Sequence, residues 1–134
     1  MAIVRAEVQV QWSAADSVSV AAASTATSDE VALNQAAFQA KIHLKVDNDG
    51  TAAAGDTVDF YLLESMGDPD GASTDEFATT TQGQHLARLD TNVSDPAEAV
   101  VWLPGPFYKA KIYAVNNSAA RAQTVSATIM EHRG

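Results

Sequence analysis

Cysteine is absent from the 134 residues of this chain, which leaves it neither disulfides nor thiolate metal sites. Aromatic side chains are scarce: four Phe, three Tyr and two Trp. Ala is the commonest residue by far, so the 46% hydrophobic content overstates the core. Packing has to come from Val, Leu and Ile, side chains of modest size that suit strands. Bases are also few, with 8 Lys and Arg against 17 Asp and Glu and a formal charge of −9. A surface of that sign aids solubility and repels phosphate backbones, so no nucleic acid partner is expected. No segment approaches the roughly 20 apolar residues of a membrane helix, so no membrane partner is expected either. The opening MAIVRAEVQVQW sets Arg5 and Glu7 among its apolar positions and does not read as a signal peptide. The expectation is one domain of ordinary size that stays in the cell making it.

What is present is alternation. In Phe38–Val46 the residues Phe38, Ala40, Ile42, Leu44 and Val46 fall on one face, and Gln39, Lys41, His43 and Lys45 on the other. Successive side chains of a strand point to opposite faces, so this is a strand with one dry and one wet side. The same grammar predicts strands near 3–12, 57–64, 84–90, 98–103, 107–115 and 124–130, with a further short one near 30–34. Thr57–Glu64 is nearly continuous in apolar residues, as in a central strand covered on both sides. Asp29–Ala37 is also compatible with a turn or two of helix, because Ala favours helix. Turn residues punctuate these runs at Asp47-Asn48-Asp49-Gly50, Pro104-Gly105-Pro106 and Asn116-Asn117-Ser118. The long connection Ser65–Glu76 has the composition of a surface loop. The expected fold is all-β: an antiparallel β-sandwich, jelly-roll-like, of about eight strands. Val58, Phe60, Leu62, Ile42, Leu44, Ile112, Val125 and Ile129 are its expected core.

Chemistry-bearing motifs are missing. His43, His85 and His132 are scattered and show no ligand spacing. Asp47-Asn48-Asp49-Gly50 has some flavour of a calcium loop, but the downstream ligands of such a loop are Thr and Ala here, and a hairpin turn needs the same residue types. No Gly-x-Ser-x-Gly elbow, P-loop or dinucleotide fingerprint occurs. No catalytic, cofactor-binding or metal site is expected, and no enzyme. Candidate partner contacts are Val8, Val10 and Trp12 on the first strand, with Trp102, Phe107 and Tyr108 near the Pro-Gly-Pro turn. For Trp102 the competing expectation is that it fills a core end or an interface. Acids concentrate in connections and lysines on strands, which predicts acidic loop tips and a more basic sheet face.

Several phrases carry a family likeness: TSDEVAL at 27–33, KIHLKVDNDGT at 41–51, DTVDFYLLESMGDPDGASTDEFATT at 56–80, LPGPFYKAKIYAVNNS at 103–118 and TVSATIMEHR at 124–133. In this combination the chain resembles small virion accessory proteins of tailed bacteriophages, the head decoration (cement) or fibre-like jelly-roll proteins. That resemblance implies a non-enzymatic structural protein assembled in the host cytoplasm and resident in the virion. Its partners would be the major capsid protein or other virion proteins. A homo-oligomer is expected, with a trimer as the form the resemblance implies. The alternative on the same fold is a carbohydrate- or receptor-binding module of a phage fibre. Residues 1–27 are expected to form an N-terminal strand or arm, exchanged with or docked on a neighbour, and 28–134 the sandwich domain.

Overall fold

The computed structural model describes residues 3–67, 71, 76–79, 83–104 and 109–133. Among them are no helices and ten strands: β1 (Val4–Gln9), β2 (Val18–Val20), β3 (Thr25–Thr27), β4 (Val31–Ala32), β5 (Ala37–Asn48), β6 (Thr57–Glu64), β7 (Gln84–Asp90), β8 (Ala97–Trp102), β9 (Lys109–Asn116) and β10 (Gln123–Arg133). All pairings are antiparallel. Sheet one runs β1-β10-β5-β8 and sheet two β3-β9-β6-β7. β2 continues the lane of β1 along β10, and β4 continues that of β3 along β9. Counting each broken edge as one lane leaves eight lanes in two sheets of four. Their order, first-eighth-third-sixth against second-seventh-fourth-fifth, is that of a jelly roll.

The core follows from the period of two. Ile42 and Leu44 of β5, Val58, Phe60 and Leu62 of β6, Ile112 of β9, and Val125 and Ile129 of β10 all point between the sheets and are buried. Val10 and Trp12 join them from the segment after β1. β6 is covered on both sides for much of its length, since Asp59 and Leu63 on its other face are buried too.

Four expectations need correction. Residues 29–37 form no helix; β4 occupies two of them, within the short strand expected near 30–34, residues 35–36 turn, and Ala37 opens β5. The strand expected over 3–12 ends at Gln9, and Trp12 instead bridges to Ala15 across a tight turn. Asp47-Asn48-Asp49-Gly50 is no hairpin turn, because β5 and β6 lie in different sheets and the chain crosses between them here. Phe38 does not share the dry face: the ladder to β10 shifts register between His132 and Arg133, which seats Ala37 inside and leaves Phe38 exposed. Residues 4–27 run in this chain as edge lanes, first on sheet one and then on sheet two.

A buried polar network closes one end of the sandwich. Asp56 accepts the Ser118 hydroxyl at 2.7 Å, the Asn48 amide at 2.9 Å and the Ala53 N–H at 3.0 Å. Asn48 also donates to Thr91 Oγ1 at 3.1 Å, and Thr91 donates to Gln123 Oε1 at 2.7 Å. Gln123 passes the chain on to Asn116 Oδ1 at 2.9 Å. Asn116 in turn donates to the carbonyls of Val20 and Arg121 at 3.0 and 2.9 Å. Removing one partner from such a chain leaves others buried without a bond, at about 1–3 kcal/mol each. Ser118→Ala is therefore expected to lower unfolding stability by about 1–3 kcal/mol, and Phe60→Ala by about 3–5 kcal/mol. Urea denaturation of the two variants beside the parent protein checks both.

Candidate functional site

Alternation on β10, β5 and β8 turns a second set of side chains to the outside of sheet one. The register aligns them in rows across the strands: Glu7, Met130, Lys41 and Trp102 in one, then Gln9, Thr128, His43 and Val100 in the next. Ile3 and Phe38 stand at the end of this face beside Arg5 and His132. The face is unusually apolar for an outside. Of the seven large hydrophobics that are exposed among the described residues, four lie here: Ile3, Phe38, Val100 (61%) and Trp102 (54%). Exposed apolar side chains gathered in one patch, rather than scattered, mark interaction sites.

The polar groups of the face are spaced between them. The Lys41 ammonium sits 5.5 Å from the centroid of the Trp102 ring, and the centroid of the His132 ring lies 5.9 Å from it with the two planes tilted by 53°. A cation over an indole face is held by the ring quadrupole. His43 Nε2 meets Glu98 Oε1 at 3.0 Å. Two shallow depressions, of 450 and 360 Å³, flank Lys41, which forms a wall of both. Arg5, Lys41 and Lys45 are countered by Glu7 and Glu98, so the face is mixed in charge rather than simply basic.

The expected contact residues divide. Trp102 is on this face, and the expectation that it fills a core end is overturned by its exposure. Val8 is half-buried at the edge and packs on the core, while Val10 and Trp12 are inside it. The Trp12 indole N–H is buried there without a partner among the described residues. Phe107 and Tyr108 lie outside the described residues. Val100, Met130, Lys41, Ile3 and Phe38 were missed as contact candidates. Val100 was legible, because it has the parity of Trp102 on a strand whose other face is Ala97, Ala99 and Val101.

The outside of sheet two holds the other charged cluster. Asp59, nearly buried on β6, accepts both Arg88 Nε and Nη2 at 2.9 and 2.8 Å. His85 Nε2 at 2.9 Å and Asn117 Nδ2 at 2.9 Å complete its shell. The Arg88 guanidinium above all, with His85 and Asn117, holds the Asp59 carboxyl far below the usual carboxylate range against the opposing effect of burial. A carboxylate so fully committed is a brace between β6, β7 and the turn after β9 and has little basicity to offer. Among the described residues no group of three His, Cys, Asp or Glu is placed to hold a metal ion.

The architecture is thus a jelly-roll-like β-sandwich with one apolar outer face. No protein-family model matches the sequence, and no curated protein is similar to it. Among solved structures the chain is similar to the CBM22-1–GH10 modules of endo-1,4-β-D-xylanase 10B from Clostridium thermocellum, complexed with xylohexaose. The TM-score is 0.56 at 14% identity, over 89% of this chain and 25% of that one. This chain therefore spans about a quarter of the length of that relative, and the likeness is one of fold. It is also similar to the SPBc2 prophage-derived protein YomS, with a TM-score of 0.45 and 12% identity over 96% of this chain and 95% of that one. The Yersinia pseudotuberculosis-derived mitogen gives 0.41 and 8% over 98% and 85%.

The two depressed carboxylates set an acid limit. Asp56 is lowered as well, chiefly by the Ser118 hydroxyl. A carboxyl with a depressed folded value contributes stability that is complete above its unfolded value, about 3.9 for Asp. It is lost as pH falls toward the folded value. Stability measured by urea midpoint is expected to fall steadily below about pH 4, and Asp59→Asn is expected to flatten that fall. An equally steep acid limb in Asp59→Asn would remove the Arg88 brace from the account.

Proposed function

We propose that the protein is a non-enzymatic structural component of a bacteriophage particle, a head decoration protein that docks on the major capsid protein or another virion protein. The observation carrying this reading is the gathering of Ile3, Phe38, Val100 and Trp102 on the outside of one sheet. Such a face presents apolar area for a protein contact, and Arg5, Lys41, Glu7 and Glu98 around it supply paired charges for a rim. The phrases shared in style with tailed-phage accessory proteins give the partner class. On this reading the protein is made in the host cytoplasm and resides in the virion.

A second reading has its own observation. The Trp102 indole stands exposed beside two depressions walled by its neighbour Lys41, and the xylanase modules that include a similar fold were complexed with xylohexaose. An exposed aromatic plane suits a sugar ring as well as a protein side chain. A carbohydrate- or receptor-binding module of a fibre is the alternative on these grounds.

Purified particles separate the two. A decoration protein is expected to co-sediment with them and to raise their resistance to heat or chelation. Trp102→Ala is expected to weaken that binding by about 30-fold, the cost of removing a central aromatic contact. Quenching of Trp fluorescence by a glycan panel, with no binding to particles, would establish the carbohydrate reading instead.

A further inference from the structure

We propose that β8 is a dimerisation edge: two copies of this chain pair antiparallel through β8 about a two-fold axis at Val100, joining their first sheets into one. This goes beyond the docking reading and stands whatever the outer face binds.

β8 is hydrogen-bonded to β5 on one side only, and no described strand lies on the other. Its free groups can be assigned. The Leu103 N–H donates to the Ala40 carbonyl at 2.9 Å, so the backbone of Leu103 points toward β5. Lateral direction alternates along a strand, so Val101 and Ala99 also point to β5. The N–H and C=O groups of Glu98, Val100 and Trp102 therefore point into the open edge. Edges are normally blunted by bulges, lysines, prolines or brevity. β7 carries a register shift with His85 and Arg88 beside it, and β3 and β4 are three and two residues long. β8 keeps an unbroken register from Ala97 to Trp102 and contains no Lys, Arg or Pro.

The sequence selects one register. An antiparallel pair bonds through residues that face each other with outward groups, here Glu98, Val100 and Trp102 of each copy. Centring on Val100 sets Val100 against Val100 of the second copy and Trp102 against its Glu98, so all three residues find partners. A shift toward either end opposes Trp102 to Pro96 or Glu98 to Pro104, and neither proline has an N–H to give. In the centred register the side chains also agree. Across the joined sheet the row reads Lys41, Trp102, then Glu98 and Lys45 of the second copy, with no like charges adjacent. The two Val100 side chains meet at the axis with a Trp102 diagonal to each, within reach of an aromatic ring. That contact covers part of the two most exposed apolar groups of the strand. A second copy is the occupant for this reason: the edge is complementary to itself.

Light scattering and sedimentation on the full chain, with no particle present, are expected to give twice the chain mass. Val100→Pro removes an N–H that faces the open edge and none that bonds β5; Val100→Lys places two ammonium groups at the axis. Both are expected to give monomers with an unchanged circular dichroism spectrum. Because the chain lacks cysteine, Val100→Cys provides a check that needs no destabilised variant: mild oxidation is expected to give a covalent dimer, and Gln9→Cys on the opposite edge is expected not to. A monomeric parent protein, a trimer, or a dimer untouched by both substitutions would overturn the proposal, as would equal cross-linking at Gln9→Cys.

Discussion

Asp56 lies where the chain crosses from β5 of sheet one to β6 of sheet two, buried with its charge intact, and the ends of most lanes are tied to it. Ser118 and Asn48 hold its oxygens directly, and Thr91, Gln123 and Asn116 extend the bonds through the interior. These groups come from β5, the lead into β6, the corner after β7, β9, the β9–β10 connection and β10. Each is buried or nearly so, and each would cost about 1–3 kcal/mol if left without a partner. The crossings seen here bring them together at one end of the sandwich. A core of Val, Leu and Ile tolerates rearrangement while it keeps its volume; a polar network of this kind does not. The network therefore adds to the packing a strong preference for one topology.

The N-terminal segment shows a different solution to a different problem. A sandwich of two four-lane sheets has four lateral edges, and unpaired edges invite aggregation. Residues 4–32 run along an edge of β10 and then cross to an edge of β9. The breaks in the two lanes are pinned to each other by Asp29, between β3 and β4, whose carboxylate accepts the N–H groups of Ser13 and Ala14, between β1 and β2, at 3.2 and 2.9 Å. Both residues have positive φ, 51° and 64°, a region that side chains other than glycine seldom occupy. The strain is offset by those two charge-assisted bonds. In this chain the segment is a pair of edges, broken where it has to turn.

Much of this was legible from alternation alone. The long strands β5, β6, β9 and β10 follow the period of two, and the eight residues named for the core are all essentially inaccessible. What escaped has identifiable causes. β3 is too short for any periodicity and exists because β9 offers an edge. Phe38 fits the dry face by count, and a bulge in β5 that leaves it without a partner on β10 turned it outward. β10 runs on to Arg133 because Glu131, a break in the apolar pattern, is satisfied inside by the Asn34 N–H and the Arg133 guanidinium. Trp12 and Trp102 looked alike in sequence. Their opposite fates depend on where each strand sits, which no window of neighbouring residues reports.

The outer face of sheet one is the place where these constraints leave a choice unexplained by folding. Burial does not require Val100 or Trp102, since more than half of each is in water. Threonine or lysine would satisfy the strand and cover an edge with less risk. The protein's charge of −9 works in the same direction by keeping copies apart at random encounters. Long-range repulsion of that kind is overcome only where contact is extensive and local charges balance. On this face Arg5, Lys41 and Lys45 stand among Glu7 and Glu98, so the net repulsion is weakest where the apolar area is greatest. A surface built so would discriminate: it resists general association and accepts a partner that matches its rows. On the docking reading proposed above that combination has a use, because such a protein has to remain dispersed until the intended surface is presented to it.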